Sequence, residues 1–129
     1  MLTLGSTVRV FVCTKPADMR RSFDGLSGMA ETLMKQDPLS GALFVFRNRN
    51  RDRLKIMYWD KDGLAIWYKR LEKGTFQLPT DVKKASKEAE EEKPSSAEIS
   101  TEELSMLLGG IDLANVKRRK RYQVPNKPR

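Results

Sequence analysis

The hydrophobic period of the chain changes near residue 42, and this change most limits the folds that it can adopt. Before it, apolar residues recur at steps of three and four, which predicts an amphipathic helix from about Asp18 to Lys35. After it come three runs rich in β-branched and aromatic residues, "ALFVFR", "RLKIMYWD" and "LAIWYKRL", which is typical of strands. A helix followed by consecutive strands indicates an α+β domain.

The order of these segments predicts a β-α-β-β-β architecture. An earlier run, "TVRVFVC", supplies a strand before the helix. Asp62-Gly63 is a strong signal for a tight hairpin turn, and taking it as the turn pairs Trp59 with Ile66. We therefore expect a three-stranded antiparallel meander with one face packed on the helix.

The other face of the meander carries Tyr58 and Trp67 and needs a cover. Core packing under a C-terminal segment is the favoured interpretation, and contact with a partner or with unpaired bases is the alternative. Ser100 and Glu103 have the spacing of a capping box, which predicts a short helix that ends at Gly109-Gly110. This helix is the expected cover.

The net charge of +8 is unevenly distributed and divides the chain into three parts. Residues 1–80 carry +6 and nearly all the aromatic residues, which predicts a compact α+β domain. Residues 81–99 are acidic and poor in large apolar groups, so we expect a flexible linker. Residues 100–129 combine the short helix with a basic C-terminal tail.

Composition excludes several classes of function. The chain has no histidine and one cysteine, so it lacks the usual zinc ligand sets and the imidazole of most nucleophilic enzymes. No run reaches the roughly 18 apolar residues of a membrane span. We predict no cofactor, no metal, no membrane association and a cytoplasmic location. Asp18, Asp24 and Asp60 are the acids to be tested as a nuclease site, although turn and capping roles explain most of the acids.

Arginines occupy every second position between the first two strands of the meander. In an extended segment they would project from one face as a cationic comb that reaches phosphates or base edges. The alternative is a solvated polar turn. We predict nucleic-acid contact through this series, whose members are Arg47, Arg49, Arg51, Arg53 and Lys55. Arg20 and Arg21 are expected to be solvent-facing helix residues.

A second cationic cluster lies near the C-terminus. Such a run adds phosphate contacts that do not depend on sequence. The alternatives are a solubilising end or a segment masked by the acidic linker. We include in the predicted nucleic-acid surface Lys117, Arg118, Arg119, Lys120 and Arg121.

Three blocks carry a family resemblance: "PADMRRSFDGL", "GALFVFRNRNRDRLKIMYWDKDGLAIWYKRLEKGTF" and "LLGGIDL" followed by "KRRKRY". They resemble the small accessory protein of insertion sequences of group sixty-six, often labelled TnpB and unrelated to the RNA-guided nuclease of that name. The resemblance covers about residues 4–79 and 100–122. It implies a bacterial mobile-element protein that is encoded beside a separate DDE transposase and assists it. It supplies no catalytic residues.

The predicted function is therefore a non-enzymatic accessory protein of DNA transposition that binds nucleic acid, the transposase or another element-encoded protein. Bound to DNA, it would be associated with the nucleoid. One alternative is a pure adaptor of the transposase that never contacts DNA. The other is a metal-dependent nuclease.

Overall fold

The computed structural model describes residues 7–82, 94–109, 111–112 and 117–118. In these ranges the chain forms seven strands, two α-helices and one short 3₁₀ helix. In chain order they are β1 (Val10–Cys13), α1 (Phe23–Thr32), β2 (Leu43–Arg47), β3 (Arg53–Asp60), β4 (Gly63–Arg70), the 3₁₀ helix (Pro79–Val82), β5 (Ser96–Ile99), α2 (Thr101–Gly109), β6 (Ile111–Asp112) and β7 (Lys117–Arg118).

A five-stranded mixed sheet in the order β4-β3-β2-β1-β5 organises the fold. Strands β2, β3 and β4 form the predicted antiparallel meander. Strand β1 pairs parallel with β2, and β5 pairs antiparallel with β1. The α+β class and the C-terminal helix are confirmed. Strand β1 is the strand predicted before the helix, and β5 was not predicted.

Strand β5 comes from the interval that the charge pattern assigned to the acidic linker. Its four residues pair with all of β1, and Ile99 is buried in the core. This pairing satisfies the backbone groups on the outer edge of β1, which the meander leaves open. Residues 96–99 therefore belong to the sheet, and residues 83–93 of the predicted linker lie outside the described residues.

The β3–β4 hairpin turns one residue earlier than predicted, which shifts each strand pairing by two residues. The register places Trp59 opposite Leu64 and Asp60 opposite Gly63, so Lys61 and Asp62 form the turn. Lys61 adopts a positive φ of 58°, and the Asp62 N–H donates to the Asp60 carbonyl over 2.6 Å. A shift of two residues keeps every side chain on its predicted face.

Helix α1 covers one face of the sheet. It is shorter than predicted, because the chain becomes helical only at Phe23 and leaves the helix after Thr32. Its buried residues Leu26, Met29 and Ala30 pack on apolar side chains of the strands, and Met34 beyond the helix joins them. The segment that precedes the helix, residues 16–21, is thereby free to form a loop beside the sheet.

Helix α2 covers the opposite face, as predicted. Its capping box is formed: the Glu103 N–H donates to Ser100 Oγ and the Ser100 N–H donates to Glu103 Oε1, each over 3.0 Å. Leu104 and Leu107 are fully buried against the sheet. Phe76 and Leu78, from the segment after β4, fill the rest of this core. No helix within the described residues is long and apolar enough to cross a membrane.

We expect Leu104→Ala to lower the free energy of unfolding by about 2–5 kcal/mol, since it leaves a cavity in the core beneath α2. Met106→Ala is the matched control on the same helix, because Met106 is exposed, and its effect is expected to stay within about 0.5 kcal/mol. Urea unfolding followed by tryptophan fluorescence measures both. Equal effects would show that α2 does not pack on the sheet.

Candidate nucleic-acid interface

The loop between β2 and β3 is a hydrogen-bonded turn and not an extended segment. Asn48 organises it: its Oδ1 accepts the Arg53 N–H over 2.9 Å, and its Nδ2 donates to Asp52 over 2.7 Å. Arg51 adopts a positive φ of 65°. Short polar side chains of this kind compete with the strand ladder for backbone groups. The arginines therefore do not form the alternating comb that an extended strand would give.

Arg47, the first of the series, is a structural residue whose side chain is largely removed from solvent. Its guanidinium donates to both carboxylate oxygens of Asp81, over 2.6 and 2.9 Å, and to the Phe76 carbonyl over 2.9 Å. Only 11% of the Arg47 side chain and 12% of the Asp81 side chain are exposed. This forked ion pair fastens the 3₁₀ helix to the end of β2 and engages the Arg47 guanidinium.

The same environment sets the ionisation of Asp81. Burial on its own raises the pKa of this carboxyl group. Hydrogen bonds from Arg47 and from the Leu78 N–H, together with the charges of Arg47 and Arg51, outweigh burial and hold the pKa below its ordinary value. Asp81 is therefore an anion at neutral pH that compensates the buried guanidinium.

Lys55 is also buried and structural. Its Nζ donates to the carbonyls of Met19 and Arg21, each over 2.8 Å, and lies 4.7 Å from the centre of the Tyr68 ring. These bonds tie the loop of residues 16–21 to β3. Like Arg47, Lys55 positions other parts of the surface and is not itself available to a ligand.

Two hollows flank the β2–β3 loop and share Pro16, Asn48 and Arg49 in their linings. The larger, of about 760 Å³, lies between the loop of residues 16–21 and the β2–β3 loop. The smaller, of about 300 Å³, lies towards Lys15 and Arg51. Seven cations line them. Arg47 is held by Asp81, and we call the other six the arginine rim: Lys15, Arg20, Arg21, Arg49, Arg51 and Arg53.

Most of the rim is free to meet a ligand. Arg53 is half-buried and the other five side chains are exposed. Arg20 is paired with Asp18 over 2.7 Å, and Arg51 lies 3.8 Å from Asp81. Within the described parts of the chain, the other four rim residues have no ion pair. The hydrogen bonds from Arg20 lower the pKa of Asp18 to about 2, so that acid stays charged.

The remaining predicted site residues are elsewhere. Tyr58 and Trp67 are half-buried and pack on the core beneath α2, away from the rim. In the C-terminal cluster, Lys117 and Arg118 form β7, which pairs with β6. Arg119, Lys120 and Arg121 lie outside the described residues.

The acids tested as a nuclease site do not converge. Asp18 borders the larger hollow, whereas Asp60 ends β3 at the opposite end of the sheet from Arg53. Among the described residues, no group of three or more His, Cys, Asp or Glu side chains is placed to hold a metal ion.

The predictions made from the sequence did not identify three features of this surface. Arg20 and Arg21 precede the helix and line the larger hollow, and Lys15 joins the smaller. Asp81 was counted with the linker acids. Its position two residues after Pro79, next to the apolar Phe76 and Leu78, was the available signal that this acid ends an ordered segment.

Comparison with known proteins gives a family match over most of the chain. Residues 8–118 match the family model described as IS66 Orf2 like protein. Two proteins of Sinorhizobium fredii (strain NBRC 101917 / NGR234), the uncharacterized proteins y4jC and y4hO, are 36% and 37% identical over 112 residues. The matched region is 87% of this chain, 86% of the first relative and 88% of the second. No solved structure matches the chain.

We expect Asp81→Asn to lower the free energy of unfolding at pH 7 by about 3 kcal/mol, because it leaves Arg47 buried without an anion. The native pKa of Asp81 lies below its unfolded value of about 3.9, so its stabilisation is present above that value and is lost as the pH falls through the native pKa. The difference in the free energy of unfolding between wild type and variant should therefore be smaller at pH 3 than at pH 7.

Urea unfolding at pH 7 and pH 3 measures this gap. Asp62→Asn is the control, since Asp62 is exposed in the hairpin turn, and it should differ little from wild type at pH 7. A gap for Asp81→Asn that is as large at pH 3 as at pH 7 would contradict an ion pair at this site.

Proposed function

Because this chain belongs to the IS66 Orf2-like family, which points to an accessory role in transposition, we propose that it is a non-enzymatic accessory protein that contacts DNA through the arginine rim. The observation that carries the proposal is that the cations of this region have two different roles, structural and exposed. Arg47 fastens the 3₁₀ helix to the end of β2, and Lys55 fastens the loop of residues 16–21 to β3. The exposed arginines of that loop and of the β2–β3 loop line the larger hollow.

The chemistry of the rim suits a phosphate backbone. Guanidinium groups bind phosphate oxygens in pairs, and clustered cations gain free energy by releasing counterions from nucleic acid. Two acids, Asp18 and Asp52, line the larger hollow. Both are already engaged, Asp18 by Arg20 and Asp52 by Asn48. The rim therefore keeps an excess of positive charge.

The backbone that carries the rim is fixed by hydrogen bonds, and this preorganisation also favours binding. Side chains on a fixed loop lose less conformational freedom on binding than side chains on a mobile one. The β2–β3 loop receives hydrogen bonds from a neighbouring segment, with the Leu71 N–H donating to Asp52 O over 2.8 Å and the Phe76 N–H to Arg51 O over 2.7 Å. The Ala17 N–H adds a third bond, to Arg47 O over 2.9 Å. The backbone that carries the rim is thus held before any ligand arrives.

The family also suggests an association with the transposition machinery, and we propose the transposase as the protein partner. In this role the chain would hold element DNA for the transposase or stabilise the transposase on it. If the rim instead contacts an acidic protein surface, the chain is an adaptor without DNA contact. Salt dependence separates the two cases, since only DNA releases condensed counterions in proportion to phosphate contacts.

We expect the logarithm of duplex DNA affinity to fall with the logarithm of salt concentration at a slope of about −5 if all six rim cations contact phosphates. Arg21→Gln with Arg49→Gln removes one exposed arginine from each loop and should flatten the slope by about 2. Fluorescence anisotropy of a labelled duplex, titrated at several salt concentrations, measures the slopes.

The matched control is Lys35→Gln with Lys61→Gln, which removes the same charge from exposed positions outside the rim. Its slope should remain close to that of wild type. Equal losses in both double variants would mean that net charge, and not the rim, determines binding. DNA affinity that is unchanged when the rim arginines are removed would reject DNA contact through the rim and leave the adaptor.

A further inference from the structure

The outer edge of the sheet at β4 is unusually open. Strand β4 is eight residues long and forms the end of the five-stranded sheet, and no strand within the described residues pairs with its outer side. Its register with β3 runs without interruption from Gly63 to Arg70, so it contains no bulge. It contains no proline, and its first five residues carry no charge.

Monomeric proteins usually protect such an edge. Short edge strands, bulges, prolines, inward-pointing charges or a covering segment prevent pairing with another chain. Within the part of the chain that the structure describes, none of these devices interrupts residues 63–67, which are half-buried. Tyr68, the next residue, is 47% exposed. A strand of this length and composition is a template for a further strand.

The charges at the two ends of β4 identify the strand that fits. Asp60 on β3 and Asp62 in the turn lie at its beginning with Lys61 between them, which gives a net charge of −1. Lys69 and Arg70 form its end, where Arg70 pairs with Glu72 over 3.0 Å, which gives a net charge of +1. An antiparallel copy would bring the acidic end of each strand against the basic end of the other. A parallel copy would set like charges together, which is unfavourable.

We propose that two copies of this chain pair along β4 in an antiparallel, two-fold symmetric dimer. Such an interface is self-complementary, as two-fold symmetry requires, because each copy supplies one acidic and one basic end. Pairing along β4 would join two five-stranded sheets into one of ten strands. It would also satisfy the backbone groups of the open edge.

If the proposed function holds, pairing along β4 also determines where the two DNA-contacting rims lie. The arginine rim lies at the end of the sheet where β2 ends, β3 begins and β4 ends. Antiparallel pairing reverses one copy relative to the other, so the two rims would lie at opposite ends of the joined sheet. One dimer could then contact two separate DNA segments.

The test measures the mass of the full chain without nucleic acid, by sedimentation equilibrium over a range of concentrations. Wild type is expected to approach twice the 14.8 kDa of one chain. Lys69→Glu with Arg70→Glu makes both ends of β4 acidic, and Asp60→Lys with Asp62→Lys makes both ends basic. Each double variant alone is expected to be monomeric, and circular dichroism checks that each is folded.

Mixing the two double variants is the decisive step. An acidic and a basic copy complement each other at both ends of β4, so the mixture should recover the dimer mass. The control, Lys35→Glu with Glu102→Lys, reverses two exposed charges away from β4 and should leave the wild-type dimer intact. A monomeric wild type, a dimer that survives the β4 changes, or a mixture that stays monomeric would each overturn the proposal. Because no DNA is present, these outcomes are independent of the DNA-binding experiment.

Discussion

The buried ion pair between Arg47 and Asp81 is the contact on which the candidate surface depends. A guanidinium removed from water is stable only when an anion and hydrogen-bond acceptors compensate it, and Asp81 with the Phe76 carbonyl supplies them. The pair joins the 3₁₀ helix to the end of β2. Lys55 performs the equivalent task on the other side, where it holds the loop of residues 16–21. Of the four alternating arginines and the lysine, Arg47 and Lys55 are thus structural, and the other three belong to the proposed rim.

The sequence predicted the parts of the fold that depend on local patterns. The change from helical to strand periodicity predicted the meander, and the spacing of Ser100 and Glu103 predicted the N-terminal cap of α2. Contacts between distant segments were not predictable in this way. The pairing of β5 with β1 joins residues more than 80 positions apart, and its acidic surroundings resembled a linker. The partner of Arg47 lies 34 positions away and was missed for the same reason.

The two proposed surfaces lie on the same sheet and differ in net charge. At the end of the sheet where β2 is followed by β3, exposed cations lie near Arg47 and Lys55. This excess of positive charge suits a polyanion. Along β4 the acidic and basic residues balance each other, which suits a second copy of the same chain. A small accessory protein built in this way could bring separate DNA segments together without catalysing a reaction. Its family suggests an accessory role in transposition.

The central claim is that the exposed rim arginines contact nucleic acid while Arg47 remains a structural anchor. The most direct measurement is an NMR titration that follows the assigned arginine side-chain Nε–H signals as a short DNA duplex is added. We expect the signals of Arg21, Arg49 and Arg51 to shift until the DNA-binding surface is saturated, and the signal of Arg47 to stay unchanged. Unmoved rim signals, or a shift confined to Arg47, would contradict it.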